Sequence, residues 1–451
     1  MKRILSISIA LLLACASLSA QQLMVGAGKV EITPKESELQ KETDTIRGHL
    51  YLRAIYITDG TSSAVLAGAD AGAVHELDEA IAKASAATGC PEENFFVSGT
   101  HTHSGGTVGI DSGHPSHEEM ADALVAAVKQ AKAGLKPARV GFGKATVDLN
   151  VNRDNYNERQ EWEQKPNWEG PADKDLTVLT FLGEDDVPIA MYLNYGMHPV
   201  NFFMSGVVTA DYPGDACCFI EDYFDGRTVA VFGQGASGDV NPKLAYSALF
   251  REGPISGVLP QDGQLVRLGP DSDEKMTDEQ LALYRQNIKR KDEYAHMLGT
   301  SIAFSALQVM LFATKYETAP AVGAARRTLS CPGRERVGGF GRENVVPEFK
   351  DADNVEIGMG LLSIGDIKIV TVGGEIYSEI GLRVKKESPS SKTLVTTVAF
   401  TPGLPFGSSG YIYSNNAANH LTFQVVGSRL KPGYAEGAIV DAALDMIRET
   451  K

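Results

Sequence analysis

Runs rich in β-branched and aliphatic residues alternate with stretches of helical spacing along most of the chain, and this alternation restricts the fold more than any other feature. Leu50 to Thr58, Ser63 to Gly68 and Asn94 to Ser98 read as strands. Between them, His75 to Thr88 has apolar positions at helical spacing, and Gly89 suits a left-handed C′ position. Ser116 is placed to cap a helix that runs on through His117, Glu118 and Glu119 to about Ala133. Leu176 to Phe181 and Ile189 to Leu193 read as a hairpin, and Thr228 to Phe232 as a buried strand. Asp278 to Phe312 is the longest helical stretch, with a break expected near Gly299. Gly358 to Ile364 and Ile367 to Val372 form a second predicted hairpin, Leu394 to Phe400 a strand, and Gly437 to Arg448 a closing helix.

The expected fold class is therefore α/β: a layered mixed sheet with flanking helices. Three polar stretches, Asn155 to Asp175, Ala245 to Lys275 and Cys331 to Asn354, read as surface excursions of the kind that rim active sites. No internal repeat or linker divides the chain, so residues 21–451 are read as one catalytic unit.

Charge and composition narrow the partners. The chain carries 42 basic against 57 acidic side chains, a net charge of −15. Such a chain is repelled by phosphate backbones, so no nucleic-acid partner is expected. Lys2 and Arg3, the apolar run Ile4 to Ala14, and the small residues Ala16, Ser17, Ser19 and Ala20 read as a secretory signal over residues 1–20. Leu12-Leu13-Ala14-Cys15 half matches a lipoprotein cleavage box, but Leu13 is large for that motif, and plain export is the reading taken. The expected product is periplasmic or extracellular, with no transmembrane segment after signal removal. Cys90, Cys217, Cys218 and Cys331 read as buried thiols, and the absence of C-x-x-C argues against a thiolate zinc site.

Four segments carry possible chemistry. In Ser98-Gly99-Thr100-His101-Thr102-His103-Ser104-Gly105-Gly106, two histidines two apart follow a short apolar strand. In an extended chain both rings would project to one side. By spacing alone they read equally well as metal ligands or as loop hydrogen-bonding groups. His198 in Asn194-Tyr195-Gly196-Met197-His198-Pro199 also follows an apolar strand, and Pro199 biases it toward extended backbone. Alone, it reads as a hydrogen-bonded core histidine. Glu375 in Val372-Gly373-Gly374-Glu375 reads as an acid opening a helix. Gly410-Tyr411-Ile412-Tyr413 is glycine- and aromatic-rich without a signal of its own. Three of the four lie beyond strand carboxyl ends, where α/β folds bind ligands. Gly233-Gln234-Gly235-Ala236-Ser237-Gly238 matches a dinucleotide fingerprint, but Pro242 falls where its helix should run.

Further segments accompany these: Gly26-Ala27-Gly28-Lys29-Val30-Glu31-Ile32-Thr33-Pro34, Leu52-Arg53-Ala54, Val151-Asn152-Arg153, Gly238-Asp239-Val240-Asn241-Pro242 and Gly433-Tyr434-Ala435-Glu436. Together with the His-Thr-His-Ser-Gly motif they resemble the neutral ceramidase family, zinc amidohydrolases that cleave the N-acyl bond of ceramide. The resemblance implies zinc ligands at His101, His198, Glu375 and Tyr411, and substrate-binding or catalytic roles for His103, Arg153 and Tyr434. Asn241 stands where the family has a serine near the substrate, so the implied substrate is ceramide or a related N-acyl amine, small molecule or lipid. The chain ends soon after the tyrosine segment, and no immunoglobulin-like C-terminal domain is expected. Zinc accepts imidazole and carboxylate ligands and lowers the pKa of water to roughly 7. Two other functions fit the same residues: hydrolysis of an ester or phosphoester, and non-catalytic binding by an exported protein.

Overall fold

The structure, a computed structural model, describes residues 22–39, 44–105, 115–203, 205–245, 259–261, 264–266, 278–312, 316–338, 344–404 and 409–450. The predicted signal at 1–20, Gly106 and most of the 245–275 excursion lie outside the described residues. The first part forms β1 (Met24–Glu31), β2 (Tyr51–Thr58), β3 (Ser63–Ala69), α1 (Asp78–Thr88), β4 (Phe95–Gly99) and α2 (His117–Ala133). The middle forms β5 (Arg139–Thr146), β6 (Asn150–Tyr156), β7 (Trp162–Asn167), β8 (Asp175–Leu182), β9 (Pro188–Tyr195), α3 (Asp211–Tyr223), β10 (Val229–Gln234) and β11 (Val240–Pro242). The last part opens with α4 (Asp278–Phe312), β12 (Val322–Val337), β13 (Glu348–Ile364), β14 (Ile367–Val372) and β15 (Glu375–Ile376). It closes with α5 (Ser378–Glu387), β16 (Thr393–Thr396), β17 (Tyr411–Ile412), α6 (Phe423–Gly427) and α7 (Ala435–Glu449).

The apolar runs are hydrophobic on both strand faces, and such strands need cover on both sides. Three sheets supply it. Their strand orders are β4-β3-β2-β1, β10-β9-β8-β5 and β12-β13-β14-β16, the first extended by a short edge strand at Lys136–Pro137. In each sheet two antiparallel pairings are followed by one parallel pairing: β3 with β4, β9 with β10, and β14 with β16. A helix crosses over within each parallel pair (α1, α3, α5), and a second helix follows the fourth strand (α2, α4, α7). No repeat is legible in the residues, yet the topology is repeated three times.

Alternation along each strand then divides the side chains between cores. Ile55 and Ile57 of β2, Leu66 of β3, Phe181 of β8, Tyr192 of β9, and Leu362 and Ile369 of the third sheet share one central core. The opposite faces pack against each unit's own helices: Leu52, Ala54 and Tyr56 against α1 and α2, Val178 and Leu193 against α3 and α4, Val370 and Val372 against α5 and α7. The sequence motif Gly26-Ala27-Gly28 makes one of these contacts close. A Cβ on Gly28 would lie 2.1 Å from the Ala127 carbonyl of α2, so only glycine lets helix and strand touch backbone to backbone.

Ser116 caps α2 as expected, its hydroxyl accepting from Glu119 N–H and the Glu119 carboxylate accepting from Ser116 N–H. Three expectations are corrected. α4 is not broken at Gly299 but runs unbroken for 35 residues. Gly299 serves close approach instead: a Cβ there would lie 2.5 Å from Asp215 Cβ of α3 and 2.8 Å from the Tyr212 carbonyl. Residues 331–354 are not simply an excursion, since β12 runs on to Val337 and β13 starts at Glu348, paired as a long antiparallel ribbon with Val337 opposite Glu348. Polar side chains there go with the exposure of β13 over residues 348–354, while Cys331, Gly333 and Arg334 of β12 are buried. Likewise the 155–175 stretch contains β7, paired with β6. Tyr284–Phe312 of α4 is long and apolar enough to cross a membrane, but Leu298, Ile302 and Ala306 on it belong to the core of the second unit.

Candidate metal centre

The three sheets meet where their parallel strand pairs end. Gly99 N–H donates to the Val398 carbonyl, and Thr397 N–H to the Gln234 carbonyl, which locks the first and second units to the third. Each unit delivers a side chain into this junction from just beyond a strand. His101 follows β4, His198 follows β9, and Glu375 follows β14.

His101 does not sit on extended backbone, which corrects the basis of the sequence argument. Its φ is +67°, in the left-handed region where non-glycine residues are uncommon, and its N–H donates to the Ala71 carbonyl. The two rings still meet, because the turn brings His103 back over His101 with ring centroids 4.7 Å apart. His103 N–H donates to the Pro199 carbonyl, which ties the two histidine segments together. His198 is fully buried, its N–H bonded to the Val240 carbonyl. Glu375 opens a two-residue parallel pairing with Tyr411 on β17, so two segments thirty-six residues apart run side by side at the centre.

The Nε2 atoms of His101 and His198 each lie 3.1 Å from the same oxygen, Glu375 Oε2. Their other ring nitrogens are engaged: His101 Nδ1 lies 2.7 Å from the Gly72 carbonyl and His198 Nδ1 2.7 Å from the Ser237 carbonyl. A carbonyl can only accept, so each Nδ1 carries a proton, and each Nε2 is turned inward, as a lone pair wherever the ring is neutral. Two lone pairs facing a carboxylate oxygen repel it unless a positive charge lies among them. His101 meets part of this need, since its pKa is raised by Glu375 in spite of burial, which works the other way. His198 does not: burial, with Arg153 adding to it, brings its pKa down to about 4. Glu375 stays ionised, with burial overcome by His101 and His198, and its pKa lies well below the carboxylate range. The donor set of imidazole and carboxylate fits a borderline divalent cation. The ligating nitrogens of His101, His103 and His198 lie within 4.8 Å of one another, a group that could hold a metal ion.

Around this cluster, burial first, and then His101 and His198, hold His103 well below the usual histidine pKa, so its ring is neutral. His103 Nε2 is 3.3 Å from His101 Nε2, and Phe203 packs edge-on against its ring. Arg153, on β6, donates from Nη2 to the Gly238 carbonyl at 2.6 Å and to the Tyr411 hydroxyl at 3.3 Å, and from Nη1 to Asn241 Oδ1 at 3.4 Å. Burial, then the neighbouring Glu375 charge, raises the Tyr411 pKa above its ordinary value. Six of the seven residues named from sequence thus share one junction. Tyr434 stands at the N-cap of α7 with 54% of its surface exposed, and among the described residues no hydrogen bond or ring contact joins it to the cluster.

Sequence reasoning missed three contributors. Gly72 and Ser237 act through their carbonyls, and a carbonyl has no residue-type signature. Gln424, buried on α6, accepts from Arg153 Nε at 2.6 Å and Nη2 at 3.0 Å when its amide oxygen faces the guanidinium. The rejected dinucleotide motif has a different use: Ser237 and Gly238 orient His198 and Arg153, and Val240 to Pro242 continue as a strand rather than a phosphate-binding helix.

Comparison with known proteins places the fold and the family. The fold is similar to a solved ceramidase complexed with C2 (TM-score 0.68, 16% identity, covering 95% of this chain and 75% of that one). It is also similar to the neutral ceramidase of Pseudomonas aeruginosa (TM-score 0.63, 14% identity, with the same coverage of each chain). In sequence, the chain is 26% identical over 171 residues to neutral ceramidase A of Dictyostelium discoideum, spanning 33% of this chain and about a quarter (24%) of that protein. Residues 24–254, just over half the chain and including both histidine segments, match the N-terminal region of neutral/alkaline non-lysosomal ceramidases, and the chain belongs to that family.

Proposed function

We propose that this protein is an exported, zinc-dependent amidohydrolase that cleaves the N-acyl bond of ceramide or of a related N-acyl amine. One observation carries the reading: two inward Nε2 atoms, their rings fixed by backbone carbonyls, converge on one ionised carboxylate oxygen. His101, His198 and Glu375 would hold the ion, with Tyr411 beside Glu375. Bound there, zinc supplies Lewis acidity to a carbonyl and acidifies water. Family membership supports amide hydrolysis. Residues 1–20 support export.

The chain's own groups then divide the work. Arg153 is fixed by Gly238, Asn241 and Tyr411, so its guanidinium offers positive charge where an amide oxygen becomes negative. Tyr411, kept protonated by burial, is a donor for the same oxygen. His103 is neutral and unprotonated on one nitrogen, able to take a proton and pass it to the leaving amine. Asn241 puts an amide beside Arg153 where the family serine is expected, which favours a head group that differs from that of ceramide.

The test is hydrolysis of matched N-acyl, ester and phosphoester substrates by purified protein, with metal content measured in parallel. The expected result is amide cleavage that disappears, with the zinc, in His101→Ala. Full amide hydrolysis by that variant after chelation rejects the metal assignment. Turnover of esters or phosphoesters alone rejects the amide assignment.

A further inference from the structure

A second imidazole–carboxylate group lies in the first unit, apart from the centre. His75 and Glu76 lie on the segment between β3 and α1, and His117 is the first residue of α2. The two Nε2 atoms approach to 2.6 Å, with ring planes perpendicular and centroids 4.3 Å apart. His117 Nδ1 lies 2.6 Å from Glu76 Oε2. With Nδ1–H given to the carboxylate, neutral His117 aims its Nε2 lone pair at His75. That is the arrangement of a metal-binding histidine, whose second nitrogen is held by an acceptor that fixes tautomer and ring.

The local backbone supports the same geometry. Glu76 has φ +55°, a conformation costly for a residue with a side chain, and it sets the carboxylate behind the His117 ring. The capping box at Ser116 and Glu119 fixes where α2 begins, and with it His117. Burial, and then His117, lower the His75 pKa, with Glu76 opposing them. The pair is accessible, with the His117 side chain 51% exposed.

We propose that His75 Nε2 and His117 Nε2 form a second site for a borderline divalent transition ion such as zinc, copper(II) or nickel(II), with Glu76 orienting His117. Imidazole ligands suit these ions, and waters complete the shell. The ion clips the segment between β3 and α1 to the start of α2. Gly72, whose carbonyl orients His101, lies on that same segment. The two sites therefore adjoin without sharing a ligand.

The experiment is zinc titration of the full, chelator-stripped protein by calorimetry, with thermal unfolding in parallel. Wild type is expected to bind two ions of unequal affinity. His117→Ala, at a half-exposed position, should lose only the weaker one while keeping hydrolysis, and Glu76→Gln should weaken it by about 10–100-fold. His101→Ala should lose the tighter ion and keep the weaker, so failure of the centre and failure of this site are distinguishable. Circular dichroism of each variant establishes that it is folded. A single ion bound by wild type in excess zinc, or a weaker ion retained by both His117→Ala and His75→Ala, overturns the proposal and leaves the pair sharing only a proton.

Discussion

Asp70 and Glu375 make an instructive pair. Both follow the third strand of their unit, in the first and third sheets, and both are held ion-paired in the interior. Asp70 accepts from Arg53 Nη1 at 2.7 Å and Tyr51 N–H at 3.0 Å, and Arg53 also pairs with Glu221, which Lys29 reaches at 2.5 Å. That network balances its charges within the protein and ties β2 to α3. Glu375 instead faces two titratable imidazoles whose Nδ1 atoms are held by carbonyls and whose Nε2 atoms point at it. A buried carboxylate met by a permanent cation is architecture, whereas one met by imidazoles belongs to a donor set that suits a metal ion.

The sharpest way to break this contrast is to remove one charge at a time. Glu375→Gln should lower amide hydrolysis about 10³-fold or more while leaving the melting temperature within a few degrees, since it strips negative charge from the ion's shell. Steady-state kinetics and thermal unfolding check it. Retained activity would make Glu375 structural, like Asp70. Arg53→Ala should do the reverse. It strands the buried Asp70 carboxylate and leaves Glu221 with Lys29 alone, and a loss of about 3–5 kcal/mol of stability is expected, with zinc stoichiometry unchanged in the folded fraction. Urea unfolding with metal analysis decides; zinc loss at unchanged stability would place Arg53 in the centre.

A third kind of burial separates the two further. Lys291 of α4 is 8% exposed, and burial brings its pKa down to about 8, Asp211 opposing only in part. The folded value is below the unfolded one, so its penalty is full below pH 8 and is relieved as pH rises toward 10.5. Lys291→Met should therefore stabilise the protein by about 1–2 kcal/mol at pH 7, a gain that shrinks between pH 8 and 10.5. A gain that grows with pH would mean the lysine is paired. The smallest effect concerns backbone. Val398 stands two residues past β16 with φ +54°, as His101 stands two past β4 with φ +67°. Relief of that strain should offset lost packing, so Val398→Gly should cost under about 1 kcal/mol where a relaxed buried valine would cost more. Chemical denaturation measures it, and a large loss would show that the turn is unstrained.

Much of the fold was legible. Strands over 51–58, 175–182 and 367–372, the Ser116 cap and the Gly89 terminus follow from periodicity and caps that act within a few residues. The His101–His103 motif and the strand-end position of His198 were visible for the same reason. Gly299 was misread because a glycine's role depends on what lies opposite, here Asp215 and Tyr212 of another helix. The polar ribbon of β12 and β13 was misread because exposure of consecutive residues over 348–354 hides strand alternation.

The residues by themselves determined element types, turn positions, the acidic balance, and which side chains were chemically able to ligate. Tertiary structure alone decided that three sheets share one topology, that Gly72 and Ser237 carbonyls turn two imidazoles inward, and that His75 meets His117 across forty-two positions. The reason is range. Propensity, capping and alternation are local energies written in adjacent residues, but convergence depends on packing among segments distant in the chain, and no short window of sequence contains it.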